Sequence, residues 1–510
     1  MESKVSLFVA LVLMIAVASS PASGSTSPPI RAVNLGGWLV VEGWITPDLF
    51  NGVDSKALMD GTRITLWSVS QKMFLSAAGG GGSAVTADQS KAQDWEIFRL
   101  WKMDSSGHMF KIRSNKNQFI SINDGEQLVA TATSHSQAGE FQFIINKKNR
   151  EKIRIRAPNG KFLQVEQSGS VTANSEASGS WSDKDPSVFK IQVTGQMQGD
   201  TQLCSFYGAE QAVSMLQDHW STFIVEDDFS FISSNGLNAV RIPVAWWITN
   251  EANTPSCHPP SYPRYQAVLD KAFDWADKYN LGVIVDLHAA PWSQNGHEHS
   301  GSRDGTVGWG TSDGNIDQTV QVIEALAARY ASRKSLLAIE LLNEPSIEVQ
   351  FDALKKYYKA GYEAVHRHVQ RDDVYVIMSG RLIQNGATEM VDFASRFKKC
   401  VLDVHYYNLY DPKYESMSAG QNIDYVKTVR ANHLNTLMRQ NGALVFVGEW
   451  AAQWEVKGAS HEDYKRFAAA QMDVYGQASF GWAYWTYKNP NRNWSLKDMI
   501  NDHIISVTKN

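Results

Sequence analysis

The stretch "AIELLNEPS", residues 338–346, opens as an apolar run of the kind a strand buried on both faces shows, then stops at an amide, a carboxylate and a proline. Runs of the same character recur around it. They are "LNAVRIPVAWW" (237–247), "LGVIVDLH" (281–288), "LLAIELLNEP" itself (336–345), "VYVIMSG" (374–380), "CVLDVHYY" (400–407), "ALVFVGEW" (443–450) and "FGWAYWTY" (480–487). Between them lie helix-period segments such as "YQAVLDKAFDWADKYN" and "DYKRFAAAQMDVYG", each closed by Asn or Gly. Alternating strands and helices joined by right-handed crossovers make a parallel sheet, and one more strand would close it into a barrel.

That strand lies far upstream, in "RAVNLGGWLVVEGW" (31–44), and the next helix-like segment begins only near residue 207. The fold predicted is α/β, a (β/α)8 TIM barrel with an all-β domain inserted after its first strand. The insert is rich in Gly, Ser, Thr and Gln and repeats itself. "KMFLSAAGGGGSAVTADQSKAQDWEIFRL", "NQFISINDGEQLVATATSHSQAGEFQFII" and "GKFLQVEQSGSVTANSEASGSWSDKDPSVFKI" align on Phe74, Phe119 and Phe162 and on Thr86, Thr131 and Thr172. Three copies resemble a β-trefoil, and in detail the fascin-like domains. The division that follows is 1–24 signal peptide, 25–59 barrel start, 60–195 insert and 196–510 the rest of the barrel.

Composition narrows the function classes. The chain has 510 residues, 43 % hydrophobic and 20 % charged, with a formal net charge of -5. Without a basic block, nucleic acid and anionic membrane are poor partners. Residues 5–18, "VSLFVALVLMIAVA", follow Lys4 and end at the small-x-small site Ala16-Val17-Ala18, which reads as a secretory signal with no membrane span after cleavage. The expected location is secreted, in the extracellular space or cell wall. Of Cys204, Cys257 and Cys400 two can pair, and spacing does not choose which. Asn493 in "NWS" is the one glycosylation sequon.

In a parallel barrel the carboxyl ends of all the strands share one mouth. Collected in order, the polar residues there are Glu42 on the first strand, Arg241 on the second, His288 on the third and Asn343 with Glu344 on the fourth. His405 and Tyr407 follow on the sixth, Glu449 on the seventh and Trp485 on the eighth. Two carboxylates, a cation, histidines and an indole face imply glycoside cleavage, which needs an acid for the leaving oxygen and a carboxylate on the opposite face for the oxocarbenium ion. Glu344 and Glu449 fit these roles. Arg241 is expected to pair with Glu449 and keep it anionic, while Glu344 holds its proton. Asn343 can meet the sugar 2-hydroxyl, Tyr407 can bond Glu449, and Trp485 can floor the sugar ring.

"LNEP" followed by "GEW" resembles glycoside hydrolase family 5. "NLGGWLVVEGWITPDLF", "HWSTFIVEDDF", "GLNAVRIPVAWW" and "DLHAAPWSQNGHEHSG" are similar to its exo-β-1,3-glucanase branch, including plant glucosidase-A-like proteins that share the inserted domain. The resemblance implies a retaining mechanism with Glu344 as acid/base and Glu449 as nucleophile, acting on β-glucan or β-glucosides without cofactor or metal. It also implies a first sugar subsite lined by Glu42, Arg241, His288, Asn343, His405, Tyr407 and Trp485. Two departures stand out. His297 and Tyr410 occupy the places of two phenylalanines that clamp the second sugar in the fungal enzymes, and the loop after Glu449 is short. Both predict tolerance of several linkages.

Two other readings compete. "GHEHSG" (296–301) offers His297, Glu298 and His299 as metal ligands, but alternate spacing in a loop lacks the helical HExxH pattern. A carbohydrate-binding cell-wall protein acting through the insert, with Trp67, Trp95, Trp101 or Trp181 as sugar platforms, is of a different class. Core packing of these indoles is the simpler reading. The complete catalytic set favours an enzyme. Because the insert leaves and re-enters the barrel at one place, it is expected to fold by itself and to be dispensable for small aryl glucosides.

Overall fold

The computed structural model describes residues 29–103, 108–177, 179–249, 262–383, 386–439 and 442–507. The signal segment and Cys257 lie outside them. Cys204 is disulfide-bonded and Cys400 is a buried free thiol.

β1 (Ile30–Asn34) opens the barrel, and twelve antiparallel-paired strands, β2 (Arg63–Ser68) to β13 (Phe189–Gly195), follow before the barrel resumes. It continues with β14 (Ala239–Ala245), β15 (Gly282–Ala289), β16 (Leu336–Glu340), β17 (Tyr375–Ser379), β18 (Cys400–Asn408), β19 (Leu444–Trp454) and β20 (Gly481–Tyr484). The eight barrel strands pair in parallel and in sequence order, and β20 closes onto β1 through Ile30↔Gly481 and Ala32↔Ala483. The twelve strands of the insert fall four to each sequence repeat and enclose their own apolar core, with Leu66, Leu100, Phe110, Phe143 and Phe189 among its members.

The barrel interior is built in layers, because alternate residues of each strand point inward. The lower layer is apolar and takes one residue from every strand: Ala32, Ala239, Ile284, Ala338, Ile377, Val401, Phe446 and Ala483. Two residues further along, the inward positions turn polar. Asn34, Arg241, Asp286, Glu340 and Asp403 are all buried there. On β19 this position is Gly448, whose amide donates to Asp403 Oδ1 at 2.8 Å. A Cβ on Gly448 would lie 2.3 Å from that oxygen, so the glycine before Glu449 makes room for the carboxylate.

One strand boundary differs from expectation. The first strand ends at Asn34, not at Glu42, because Gly37 adopts φ +74° and turns the chain, and a Cβ there would meet Ile45 at 2.6 Å. Glu42 instead reaches the mouth from the following segment, bridged to Gly199 just beyond the insert. The short loop after Glu449 has a cause as well. β19 runs on to Trp454, which is buried and stacks on Phe467 at 4.4 Å.

Candidate active site

At the carboxyl end of the barrel a cavity of about 860 Å³ opens, lined by Glu344, Glu449, His405, Tyr407, His288 and Trp485. Glu42, His297 and Tyr410 line it too. Arg241 and Asn343 sit beneath it, fully buried. All eleven residues singled out in the sequence are therefore in or under one pocket.

Arg241 organises the floor. Its Nε and Nη2 donate to the two oxygens of Glu340 at 2.7 and 2.9 Å. Nη1 donates to Asn34 Oδ1 at 2.9 Å and Glu449 Oε1 at 3.1 Å, and Nη2 to Asn343 Oδ1 at 2.8 Å. Asp286 Oδ2 is 3.2 Å away. Arg241 thus does meet Glu449, but its two-pronged partner is Glu340, one strand step below the mouth.

The imidazole of His405 joins the two mouth carboxylates. Its Nδ1 is 2.7 Å from Glu344 Oε1 and 3.4 Å from Glu449 Oε2, while Nε2 is 2.8 Å from Asp403 Oδ2. Carboxylate oxygens of Glu344 and Glu449 lie within 4.8 Å of each other around it. Tyr407 donates to Glu449 Oε2 at 2.8 Å. His288 donates from Nδ1 to Asp286 at 2.6 Å, stacks on Trp485 at 5.3 Å and 7°, and leaves Nε2 3.5 Å from the Asn343 amide.

Electrostatics reverse one expectation. Burial would raise Glu344, but the His405 cation in contact with it holds its carboxyl well below the usual range. Glu449 is pushed up to about 8 by burial; Glu344 adds to the rise, and His405, Arg241 and the Tyr407 hydroxyl oppose it. Burial and Trp44's hydrogen bond act in opposite senses on Glu42, and burial wins, raising it. Burial disfavours the His405 cation, but Glu449, Asp403 and Glu344 outweigh it, so its pKa lies well above that of a free histidine. The sequence could not show which carboxylate His405 would touch, and that contact sets which carboxyl is lowered.

Glu344 itself has φ +44°, in the left-handed region. For a non-glycine residue followed by proline this is a strained backbone, of order 1–3 kcal/mol. It is held by Asn295 Nδ2, which donates to the Glu344 carbonyl at 3.1 Å, and by the preceding Asn343 amide, which donates to Leu287 O at 3.0 Å.

His297, Glu298 and His299 do not gather as a ligand set. His299 turns to Glu344 (3.5 Å) and Glu42 (3.8 Å), and His297 stacks on His299 at 5.4 Å. The acid–histidine groups close enough for an ion, Glu344–His405–Glu449 and Glu340–Asp403–His405, are already joined by hydrogen bonds from His405 and Arg241. Asn34, Asp286, Glu340, Asp403 and Trp44 were not singled out in the sequence, and His299 was weighed there only as a metal ligand. Asp286 and Asp403 each precede a mouth histidine by two positions, the spacing that puts both side chains on one face of a strand, and that was the available signal.

A closed parallel barrel with a histidine-bridged glutamate pair at its carboxyl mouth defines a glycoside hydrolase. Comparison with known proteins agrees. The family model Cellulase (glycosyl hydrolase family 5) matches residues 204–491, and the chain belongs to that family. A second model, a domain of unknown function (DUF7910), matches residues 55–194. Similar proteins include a probable glucan 1,3-beta-glucosidase A from Emericella nidulans, 30% identical over 340 residues, covering 58% of this chain and 80% of that protein. Another, of the same description, from Aspergillus terreus, is 32% identical over 340 residues, covering 58% and 78%. The crystal structure of AoRut shares the fold, with TM-score 0.52 and 22% identity over 62% of this chain and 90% of that one.

Proposed function

We propose that the protein is a secreted, retaining exo-β-glucosidase that removes terminal glucose from β-glucan oligomers and related β-glucosides, with Glu449 as nucleophile and Glu344 as acid/base. The observation that carries this reading is the carboxylate pair within 4.8 Å around His405. Single oxygens this close favour the roughly 5–5.5 Å carboxyl spacing of retaining enzymes over the roughly 6.5–9.5 Å that inverting enzymes need to seat a water.

The geometry supports a route for the proton. With Glu449 raised and Glu344 lowered, the resting arrangement favours a proton on Glu449 and one on His405, whereas the reaction needs Glu449 as anion and Glu344 as acid. His405 Nδ1 faces both. It gives its proton to Glu344 and takes the Glu449 proton at the same nitrogen, so the imidazolium is restored and charge is conserved. Nε2–H stays on Asp403 throughout. Glu449 then attacks the anomeric carbon while Glu344 protonates the leaving oxygen, and Glu344 next takes a proton from the water that releases glucose. Tyr407 and Arg241 hold the attacking carboxylate, Trp485 floors the ring, and Asn343 Nδ2 with the unpaired Glu42 Oε1 serve sugar hydroxyls.

At the second sugar the pocket offers His297 and the exposed Tyr410, a small and polar grip that suits several linkages and aglycones. The relatives named as glucan 1,3-beta-glucosidases support β-1,3 oligomers as one substrate class. The test is hydrolysis of a panel of aryl β-glucosides, laminari-oligosaccharides and cello-oligosaccharides, with the first-formed anomer followed by NMR. β-Glucose from several linkages supports the reading. α-Glucose as first product, or no turnover of any β-glucoside, refutes it.

A further inference from the structure

The inserted domain does not stand apart from the barrel; it grips the loop that walls the active site beside Glu344. After β15 the chain runs through residues 290–306 with only one short turn of 3-10 helix, Glu298–Ser300, and with Trp292, Ser293, Gly296 and Gly301 all at positive φ. A loop of that kind has little rigidity of its own and is fixed by what it touches.

Its inner side touches the catalytic strand ends. Gln294 Nε2 donates to the carbonyls of His288 (2.7 Å) and Asn343 (2.9 Å), and the Ser346 amide donates to Gln294 O at 2.9 Å. Asn295 Nδ2 holds the carbonyl of Glu344 and lies 3.0 Å from His299 Nε2. Its outer side is held by the insert. Arg113, the last residue of β6 (Met109–Arg113), donates from Nη1 to Asp304 Oδ2 at 2.9 Å and to Thr306 Oγ1 at 2.7 Å. Arg99 on β5 (Phe98–Lys102) donates to the Asp304 carbonyl at 3.3 Å. From the loop, Arg303 reaches back, donating to Asp60 Oδ1 at 2.9 Å and stacking over Trp101 at 4.2 Å. Asp304 is buried, so its ion pair is shielded from water and stronger than a surface pair.

We propose that the function of this domain in the enzyme is to brace the 290–306 loop and so hold Glu344 in its strained, productive backbone geometry. The insert touches no substrate in this account; Arg113, Arg99 and Trp101 are positioning residues. This reverses the expectation that the domain is dispensable for small glucosides. The inference rests on the proposed role of Glu344, and its consequence is specific to it. A loosened loop should impair proton donation more than glucosyl transfer to Glu449.

The test is Arg113→Ala in the full chain, assayed on aryl β-glucosides whose leaving groups range from dinitrophenol to an alkyl alcohol, with Arg303→Ala as a second variant whose half-exposed side chain can be lost without opening the core. Expected are losses in kcat/KM of roughly ten- to a hundredfold on the poorest leaving groups and much smaller losses on dinitrophenyl glucoside. Arg113→Lys should recover part of the loss. Hydrogen exchange of the 290–306 amides should quicken in both alanine variants, a readout independent of catalysis. An equal loss on all leaving groups, or unchanged exchange in the loop, overturns the brace. A wild-type enzyme inactive on every glucoside while the loop still loosens in the variants would refute the role of Glu344 and leave the mechanical brace standing.

Discussion

The barrel mouth carries the same short pattern twice, Asp286-Leu287-His288 on β15 and Asp403-Val404-His405 on β18, and the two histidines end in opposite states. Each aspartate points to the same face as its histidine and bonds it, at 2.6 Å to Nδ1 in the first pair and 2.8 Å to Nε2 in the second. Burial lowers His288, and the nearby Arg241 cation lowers it further, so it stays neutral against the Trp485 face. Burial acts on His405 in the same sense, yet Glu449, Asp403 and Glu344 surround it and keep it charged. The pattern fixes orientation, and the neighbours fix charge. One histidine is thereby suited to hold a sugar hydroxyl and the other to move a proton.

The largest effect that could break this comparison is loss of the second imidazole. His405→Phe leaves Glu344 and Glu449 facing each other with no cation between them, and kcat on glucosides with poor leaving groups should fall by about 10²–10⁴. His288→Phe should act mainly on KM, with kcat much less changed. Steady-state kinetics on both variants decides it; a larger kcat loss for His288→Phe would invert the assignment of roles.

The pH profile is the next check. Glu449 is raised to about 8, so it holds its proton below that pH and loses it above. Once it is lost, the one proton left for Glu344 is that of His405, and giving it up discharges the cation between the carboxylates. Activity should therefore decline as pH rises through about 8. The Tyr407 hydroxyl lowers Glu449 by donating to it, so Tyr407→Phe should move the alkaline limb of kcat/KM to higher pH. A limb that moves to lower pH contradicts the account.

The smallest effect belongs to the second sugar subsite. A ring–sugar stack is comparable to an aromatic pair, roughly 0.5–1.5 kcal/mol, so wild-type preferences among linkages should stay within about tenfold. His297→Phe should tilt the ratio of laminaribiose to cellobiose hydrolysis upward. An unchanged ratio, or a several-hundredfold wild-type preference, removes this explanation.

Much of this site was legible because a parallel barrel turns strand ends into neighbours, so Glu344 and Glu449 could be paired without any contact information. The apolar alternation that located the strands also hid the layer beneath them. Glu340 lies inside "LLAIELL" and Asp286 inside "LGVIVDLH", where a single acid in an apolar run reads as an exception rather than as one member of a ring. Three-dimensional register was needed to see that Asn34, Arg241, Glu340 and Asp403 share one level. The insert was legible as three repeats because its periodicity is local. Its grip on residues 290–306 was not, since Arg113 and Asp304 are far apart in the chain and neither sits in a motif.

The central claim, that Glu449 attacks and Glu344 donates the proton, is tested most directly by replacing each with alanine and adding azide. Glu449→Ala should lose nearly all turnover of aryl glucosides, and azide, entering the space of the missing carboxylate, should yield α-glucosyl azide. Glu344→Ala should retain attack on substrates with good leaving groups and yield β-glucosyl azide, because azide then meets the covalent intermediate from the opposite face. NMR of the two products separates the roles. The same anomer from both variants, or the α-azide from Glu344→Ala, would contradict the account.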